Sequence, residues 1–334
     1  MASGSRAGGL VALPPSSLRR RASQYASFFR MCPSCLKDLY EAITFDGSRF
    51  FFEAVKDTDL TPRPYYLFKY ESGPSAEFTI IAHRGASAYY PENTLVSFEA
   101  AIQLGAEMVE LDVRLSRDGE VVVFHDDTLS RCTDGRGKTA ACTLVELKRL
   151  DAGIRFGTRF KDTRIPTLEE VLSLCHGSVA VNIEIKAGAV TGRITGGIEE
   201  KCLGIVTRAG MDDHVVFSSF EPRALRHLRE IDGNCAVAVL YDKKRYGPKL
   251  PSEIISALEA DAFNCDRREM STRRLRDAKK NGISINVYTV NDARGMRGLL
   301  RKGVEGIFTN RPDVLKTVVD AFGREAGQAK GKQE

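Results

Sequence analysis

The chain has 334 residues, 43% of them hydrophobic, and a formal net charge of +5. Residues 1–37 carry six Lys/Arg and no acid, which leaves the other 297 at −1; so near-neutral a body gives no general case for nucleic-acid binding. No apolar run approaches the ~18–20 residues that cross a bilayer, so no integral membrane segment is expected, while the length allows one large α/β domain or two ordinary ones.

The first 77 residues are an N-terminal extension of unknown role. "GGLVALPP" is too short and too broken by proline to be a signal-peptide core. The Arg- and Ser-rich, acid-free start resembles an organelle transit peptide; a partly disordered tail, or a true start at Met31, is the favoured reading. Cys32 and Cys35 form one CxxC, but a structural zinc needs a second pair nearby and the next cysteine is Cys132. Eight cysteines without repeated spacing predict reduced thiols and a cytoplasmic setting. "SRFFFEAV" is a candidate strand and "TPRPYYLF" an extended link.

From Phe78 the pattern becomes regular. Apolar, β-branched runs at 78–82, 107–113, 179–185, 214–219, 235–241, 261–265, 283–290 and 305–309 predict strands. Helical patterns at 94–105, 168–176, 196–209, 222–230, 251–260, 271–281, 292–302 and 312–322 alternate with them. Thr143/Glu146 and Thr167/Glu170 are capping-box pairs, and Pro222 and Pro312 suit a first helical turn. Eight strands alternating with eight helices predict an α/β fold, a (β/α)8 TIM barrel, over 78–323, with 324–334 a disordered tail.

One run breaks the alternation. "VVVFHDD" follows the second strand after only a turn, too short for a parallel crossover. Asp118-Gly119 is a hairpin signal, so 121–125 should fold back antiparallel as a β-hairpin after strand 2, landing His125 near Asp112 or its neighbour. Residues 126–166, rich in Gly, Thr and charge, form an inserted cap subdomain over the C-terminal face of the barrel.

Charged residues gather at the predicted C-terminal strand ends: His83 and Arg84 on the first, Glu110 and Asp112 on the second, Glu184 and Lys186 on the third, Ser219 on the fourth and Tyr288 on the seventh. The i, i+2 spacing puts Glu110 with Asp112, and Glu184 with Lys186, on one face. Buried carboxylates need a partner, and Glu110, Asp112 and Glu184 offer three hard oxygen ligands suited to one divalent metal ion, Mg²⁺ or Ca²⁺. Arg84 and Lys186 suit a phosphate. His83 and His125 beside them are the parts for acid–base attack on a phosphoester. Asn93 or Thr94 is the expected cap of the first helix, with Glu92 either a first-turn acid complementing the helix dipole, the favoured reading, or a contact in the site.

These residues resemble the glycerophosphodiester phosphodiesterase family, in the superfamily of phosphatidylinositol-specific phospholipase C. The matching stretches are "HRG" (83–85), "PENT" (91–94), "ELD" (110–112), "DGEVVVFHD" (118–126), "NIEIK" (182–186), "SSF" (218–220), "VYTVN" (287–291) and "TNRP" (309–312), spanning Ile80 to Leu315. The resemblance implies metal-dependent hydrolysis of a small glycerophosphodiester to sn-glycerol 3-phosphate and an alcohol. It implies His83 and His125 as general acid and base, Glu110, Asp112 and Glu184 as metal ligands, Arg84 and Lys186 on the phosphate, and a cap that helps select glycerol. Tyr288 stands where many members carry Trp, as an apolar wall; Asn310 stands where an Asp is common. The rival readings are a lysophospholipase D acting on lysophospholipids, and a non-catalytic barrel that binds a phosphorylated ligand. Head-group preference and oligomeric state are not encoded in these patterns.

Overall fold

A computed structural model describes residues 78–330, with side chains through 325, and two short strands before them. Phe45–Asp46 and Arg49–Phe50 pair antiparallel in a unit that ends at Leu60. Cys32, Cys35, the "TPRPYYLF" link and any targeting segment lie outside the described residues.

In the unit that begins at Thr61, eight parallel strands close on themselves: β1 (Thr79–His83), β2 (Met108–Leu115), β4 (Ala180–Ile185), β5 (Val215–Ser219), β6 (Ala236–Leu240), β7 (Ala262–Asp266), β8 (Ser284–Tyr288) and β9 (Gly306–Thr309). β1 pairs with both β2 and β9, which completes a TIM barrel. The predicted hairpin is present: β3 (Val121–Val123) runs antiparallel to β2 with Val113 opposite Val123. Strand edges fall within one to two residues of the alternating pattern because both faces of these strands are buried.

Side-chain parity sorts the strands into two layers. Val109, Leu111 and Val113 face outward into the main core with the helices, whereas Met108 joins Ile81, Ala180, Ala236, Ala238, Ala262 and Phe308 inside the barrel. Going two residues toward the C-terminal end from each interior residue reaches His83, Glu110, Asn182, Ala238, Leu240, Asn264 and Asn310, and two further reaches Asp112 and Glu184. The barrel interior is thus apolar at the bottom and polar at the mouth. Between the layers, Ser218 Oγ donates to Asn182 Oδ1 at 2.6 Å and Asn286 Nδ2 to Asn264 Oδ1 at 2.9 Å.

Both capping boxes form, Thr143 with Glu146 and Thr167 with Glu170. Two expectations change. Helix α1 (Leu95–Gln103) is capped by Thr94 without a side-chain bond, since the Thr94 hydroxyl donates to Pro91 O instead, and its first turn holds no acid. Glu92 lies ahead of the helix and is taken by two arginines. The last helix runs from Pro312 through Lys330, past the boundary drawn at 323, because Arg, Glu, Ala, Gln and Lys after Gly323 all favour helix.

The insertion folds around a small core of its own. Val122, Phe124, Leu129, Leu147, Ala152 and Ile165 bury one another. Its inner loop is held by Asp151, whose carboxylate accepts from the backbone N–H of Gly153, Ile154 and Asp162. Gly153 packs against Phe160, where a Cβ would come within 1.9 Å of the carbonyl oxygen.

Candidate active site

The barrel register brings the predicted side chains together. His83 lies opposite Glu110, and Asp112 opposite Glu184. His83, Arg84, Glu110, His125, Glu184 and Lys186 line one cavity of about 260 Å³, whose opposite wall is Phe220, Leu240, Tyr288 and Phe308. Tyr288 packs edge-to-face on Phe220 and on Phe308, and its hydroxyl donates to Tyr241 O at 3.1 Å. Ser219 does not face the cavity; its hydroxyl donates to Ile185 O, and Ser218 is the lining residue.

The chain reverses sharply after β1. Arg84 and Gly85 both take positive φ, 57° and 83°, and a Cβ on Gly85 would meet Ser97 Oγ at 2.4 Å. Only glycine fits there. Arg84 is held in the left-handed region by Glu110, which accepts its N–H on both the backbone carbonyl (2.9 Å) and the carboxylate (3.0 Å). Such conformations persist where neighbours over-determine them.

Glu110, Asp112 and Glu184 are buried and each offers a carboxylate oxygen within 4.8 Å of the others'. Two cations stand among these three acids. Lys186 Nζ is 2.6 Å from Glu184 Oε1 and 3.2 Å from Asp112 Oδ1, and Arg84 Nε is 3.3 Å from Asp112 Oδ2. Burial, with the charges of Asp112 and Glu184, raises Glu110 well above the carboxylate range. Burial, again with Asp112, pushes Glu184 up to about 7. Burial acts on Asp112 in the same direction but is overridden by Lys186, Arg84 and His125, which hold its carboxyl low. The cluster is short of positive charge, and its hard oxygen donors fit one divalent cation.

Each histidine is fixed from behind. His83 Nδ1 donates to Asn310 Oδ1 at 2.8 Å, and His125 Nδ1 donates to Asp126 Oδ1 at 2.6 Å. Nε2 of each ring is therefore the nitrogen free to exchange protons; that of His83 lies 4.0 Å from Glu110 Oε2. Burial, with the Arg84 charge, lowers His83 to about 4. Burial also lowers His125, opposed by Asp112. His125 follows β3 directly: Phe124 N–H donates to Asp112 O at 2.8 Å, and Arg114 Nε and Nη2 donate to the His125 carbonyl at 2.8 and 2.6 Å.

Sequence reasoning missed Arg114 and Arg131, and it noted Asn93 and Asn310 without placing them in the site. Asn93, also at positive φ, donates to Asp112 Oδ2 at 2.8 Å. The backing of His83 by a neutral amide has a measurable consequence. Asn310→Asp should raise the His83 pKa by about 1–3 pH units, as an anionic acceptor favours the imidazolium; an unchanged NMR titration would contradict this geometry.

The sequence matches the glycerophosphoryl diester phosphodiesterase family over residues 83–314. The chain belongs to that family. A glycerophosphodiester phosphodiesterase of Caldanaerobacter subterraneus is 38% identical over 241 residues, covering 72% of this chain and 97% of the relative. One from Bacillus subtilis is 32% identical, covering 72% and 86%. Among solved structures, a phosphodiesterase of Oleispira antarctica in complex with its product sn-glycerol-3-phosphate superposes with a TM-score of 0.64 at 31% identity, covering 72% of this chain and 96% of that one. A glycerophosphodiester phosphodiesterase of Agrobacterium tumefaciens gives 0.63 at 30% identity, covering 71% and 98%. This phosphodiesterase is accordingly an enzyme of glycerophosphodiester hydrolysis, and the non-catalytic reading falls away. Among the described residues, no helix is long and apolar enough to cross a membrane.

Proposed function

We propose that His83 and His125 are the general base and general acid of this hydrolysis, and that Glu110, Asp112 and Glu184 hold one Mg²⁺ or Ca²⁺ beside them. The carrying observation is the buried triad of carboxylates, with oxygens within 4.8 Å of one another, Glu110 directly opposite His83, and both imidazoles lining one cavity with Glu110 and Glu184. When bound, the cation supplies Lewis-acid neutralisation of the phosphodiester.

The side chains do the rest. Arg84 and Lys186 face the phosphodiester as fixed donors, and a site assembled before reaction stabilises developing charge without reorganising. His83 is neutral at pH 7 and has its Nε2 lone pair turned to the cavity, so it takes the proton of the attacking hydroxyl, whether the glycerol 2-hydroxyl or water. His125, backed by a carboxylate, delivers a proton to the departing alkoxide. Burial lowers both rings; the neutral amide behind His83 and the carboxylate behind His125 are what separate their roles. The apolar wall of Tyr288, Phe220 and Phe308 suits the carbon face of a glycerol unit, and a cavity of about 260 Å³ holds a small glycerophosphodiester. The described free cysteines, Cys175, Cys202 and Cys265 among the buried ones, fit a reducing cytoplasmic setting.

The test is turnover of glycerophosphocholine and glycerophosphoethanolamine with Mg²⁺, with Ca²⁺ or with a chelator. Release of glycerol 3-phosphate that the chelator abolishes is expected. Turnover indifferent to the chelator would remove the metal assignment, and faster turnover of lysophosphatidylcholine would move the substrate to lysophospholipids.

A further inference from the structure

Arg131 stands in the cap, its side chain 47% exposed, yet its guanidinium makes two forked contacts. Nη1 donates to Glu92 Oε2 and Nη2 to Glu92 Oε1, both at 2.7 Å. Nε donates to Asp126 Oδ2, and Nη2 to Asp126 Oδ1 at 2.9 Å. Each acid has a second customer inside the site. Asp126 accepts from His125 Nδ1, and Glu92 accepts from Arg84 Nη1 at 2.9 Å. One cation from the cap thus stands behind both an imidazole on the hairpin and an arginine on the loop after β1. Exposed ion pairs add little to stability, whereas a bidentate fork fixes direction.

We propose that Arg131 is a positioning residue for the reaction, a clasp that orients His125 through Asp126 and Arg84 through Glu92, so that seating the cap and arming the site are one event. The proposal rests on the roles assigned to His125 and Arg84 above. Without the fork, Asp126 is free to turn from Nδ1, and His125 loses the bond that sets its tautomer. Glu92 loses the partner that holds it toward Arg84, and the two acids are left facing each other without the cation between them. The Asp126 arm therefore governs proton delivery to the leaving group, and the Glu92 arm governs grip on the phosphate.

The test is Arg131→Gln and Arg131→Lys in the full chain, assayed on glycerophosphocholine, whose alkoxide needs a proton, and on the p-nitrophenyl ester of glycerol phosphate, whose leaving group does not. Arg131→Gln should lower kcat about 10–100-fold on the first, far less on the second, and raise KM on both. Arg131→Lys keeps the charge without the fork and should show the same pattern at smaller size. Combined with His125→Ala, Arg131→Gln should add no further loss of kcat on glycerophosphocholine. Equal losses on both substrates, a multiplicative loss with His125→Ala, or wild-type kinetics would overturn the clasp. Should His125→Ala itself prove near wild type, the acid assignment fails. The clasp is then decided by imidazole ¹⁵N shifts, which should show His125 losing its Nδ1–H form in Arg131→Gln; retention of that form overturns it.

Discussion

His83→Ala should lower kcat on glycerophosphocholine by about 10²–10⁴-fold, the usual contribution of a positioned acid–base group, with KM little changed. The ring cannot hold a proton at neutral pH: it is buried, it faces the Arg84 charge, and its pKa falls to about 4. At neutral pH it therefore has no second proton to give and an open nitrogen to accept one. Its Nδ1 proton is committed to Asn310, so the alanine variant loses one nitrogen's chemistry and one hydrogen bond at the mouth, away from the packed layers. The melting temperature should therefore stay close to that of the parent. A kcat within a few-fold of the parent would contradict the base assignment, and a collapse of the melting temperature would make the loss structural.

The second large effect joins metal and protons. In the metal-free fold Glu184 holds its proton up to about pH 7, and Glu110 is raised as well. The unfolded chain releases those protons near pH 4.5. Between these values the two carboxyls bind more protons in the folded state than in the unfolded one, so their contribution to metal-free stability falls as pH rises from about 4.5 to about 7, while His83, lowered to about 4, contributes in the opposite sense below its ordinary value. A divalent cation displaces the protons and reverses the trend. At about 100 times Kd, Mg²⁺ or Ca²⁺ should raise the melting temperature at pH 8 by on the order of 5–10 °C, and by clearly less at pH 6. The acid limb of kcat/KM should likewise move to lower pH as metal concentration rises, because protons and metal compete for the same oxygens. A limb that stays in place over a hundredfold range of metal would assign it to another group.

How far the sequence exposes this site depends on the range of each signal. Strands, capping boxes and the Asp118-Gly119 hairpin are local patterns, and the structure shows them within one to two residues. Parity then places Glu110, Asp112 and Glu184 inside the barrel, since i, i+2 spacing on a strand admits no other face. The polar pairings behind the site are different in kind. Glu92 resembles a helix-dipole acid because it precedes an amphipathic segment; only the approach of Arg84 and of Arg131, 39 residues away, takes it out of that role. Asn310 meets His83 across 227 residues, because closure sets β9 beside β1. No window of periodicity reaches that far.

The cap's two ends meet. Val122 bridges Thr167, and Val123 N–H donates to Pro166 O at 2.9 Å, so the chain leaves the barrel and returns at nearly one point. An insert so closed can be lengthened, shortened or exchanged as a cassette without shifting any strand, provided that its new core still receives Val122 and Phe124. The side chains proposed to hold the metal and to face the phosphate lie on the barrel side of that junction, so an exchanged cap leaves them in place and has only to return a carboxylate behind His125 and a guanidinium where Arg131 stands.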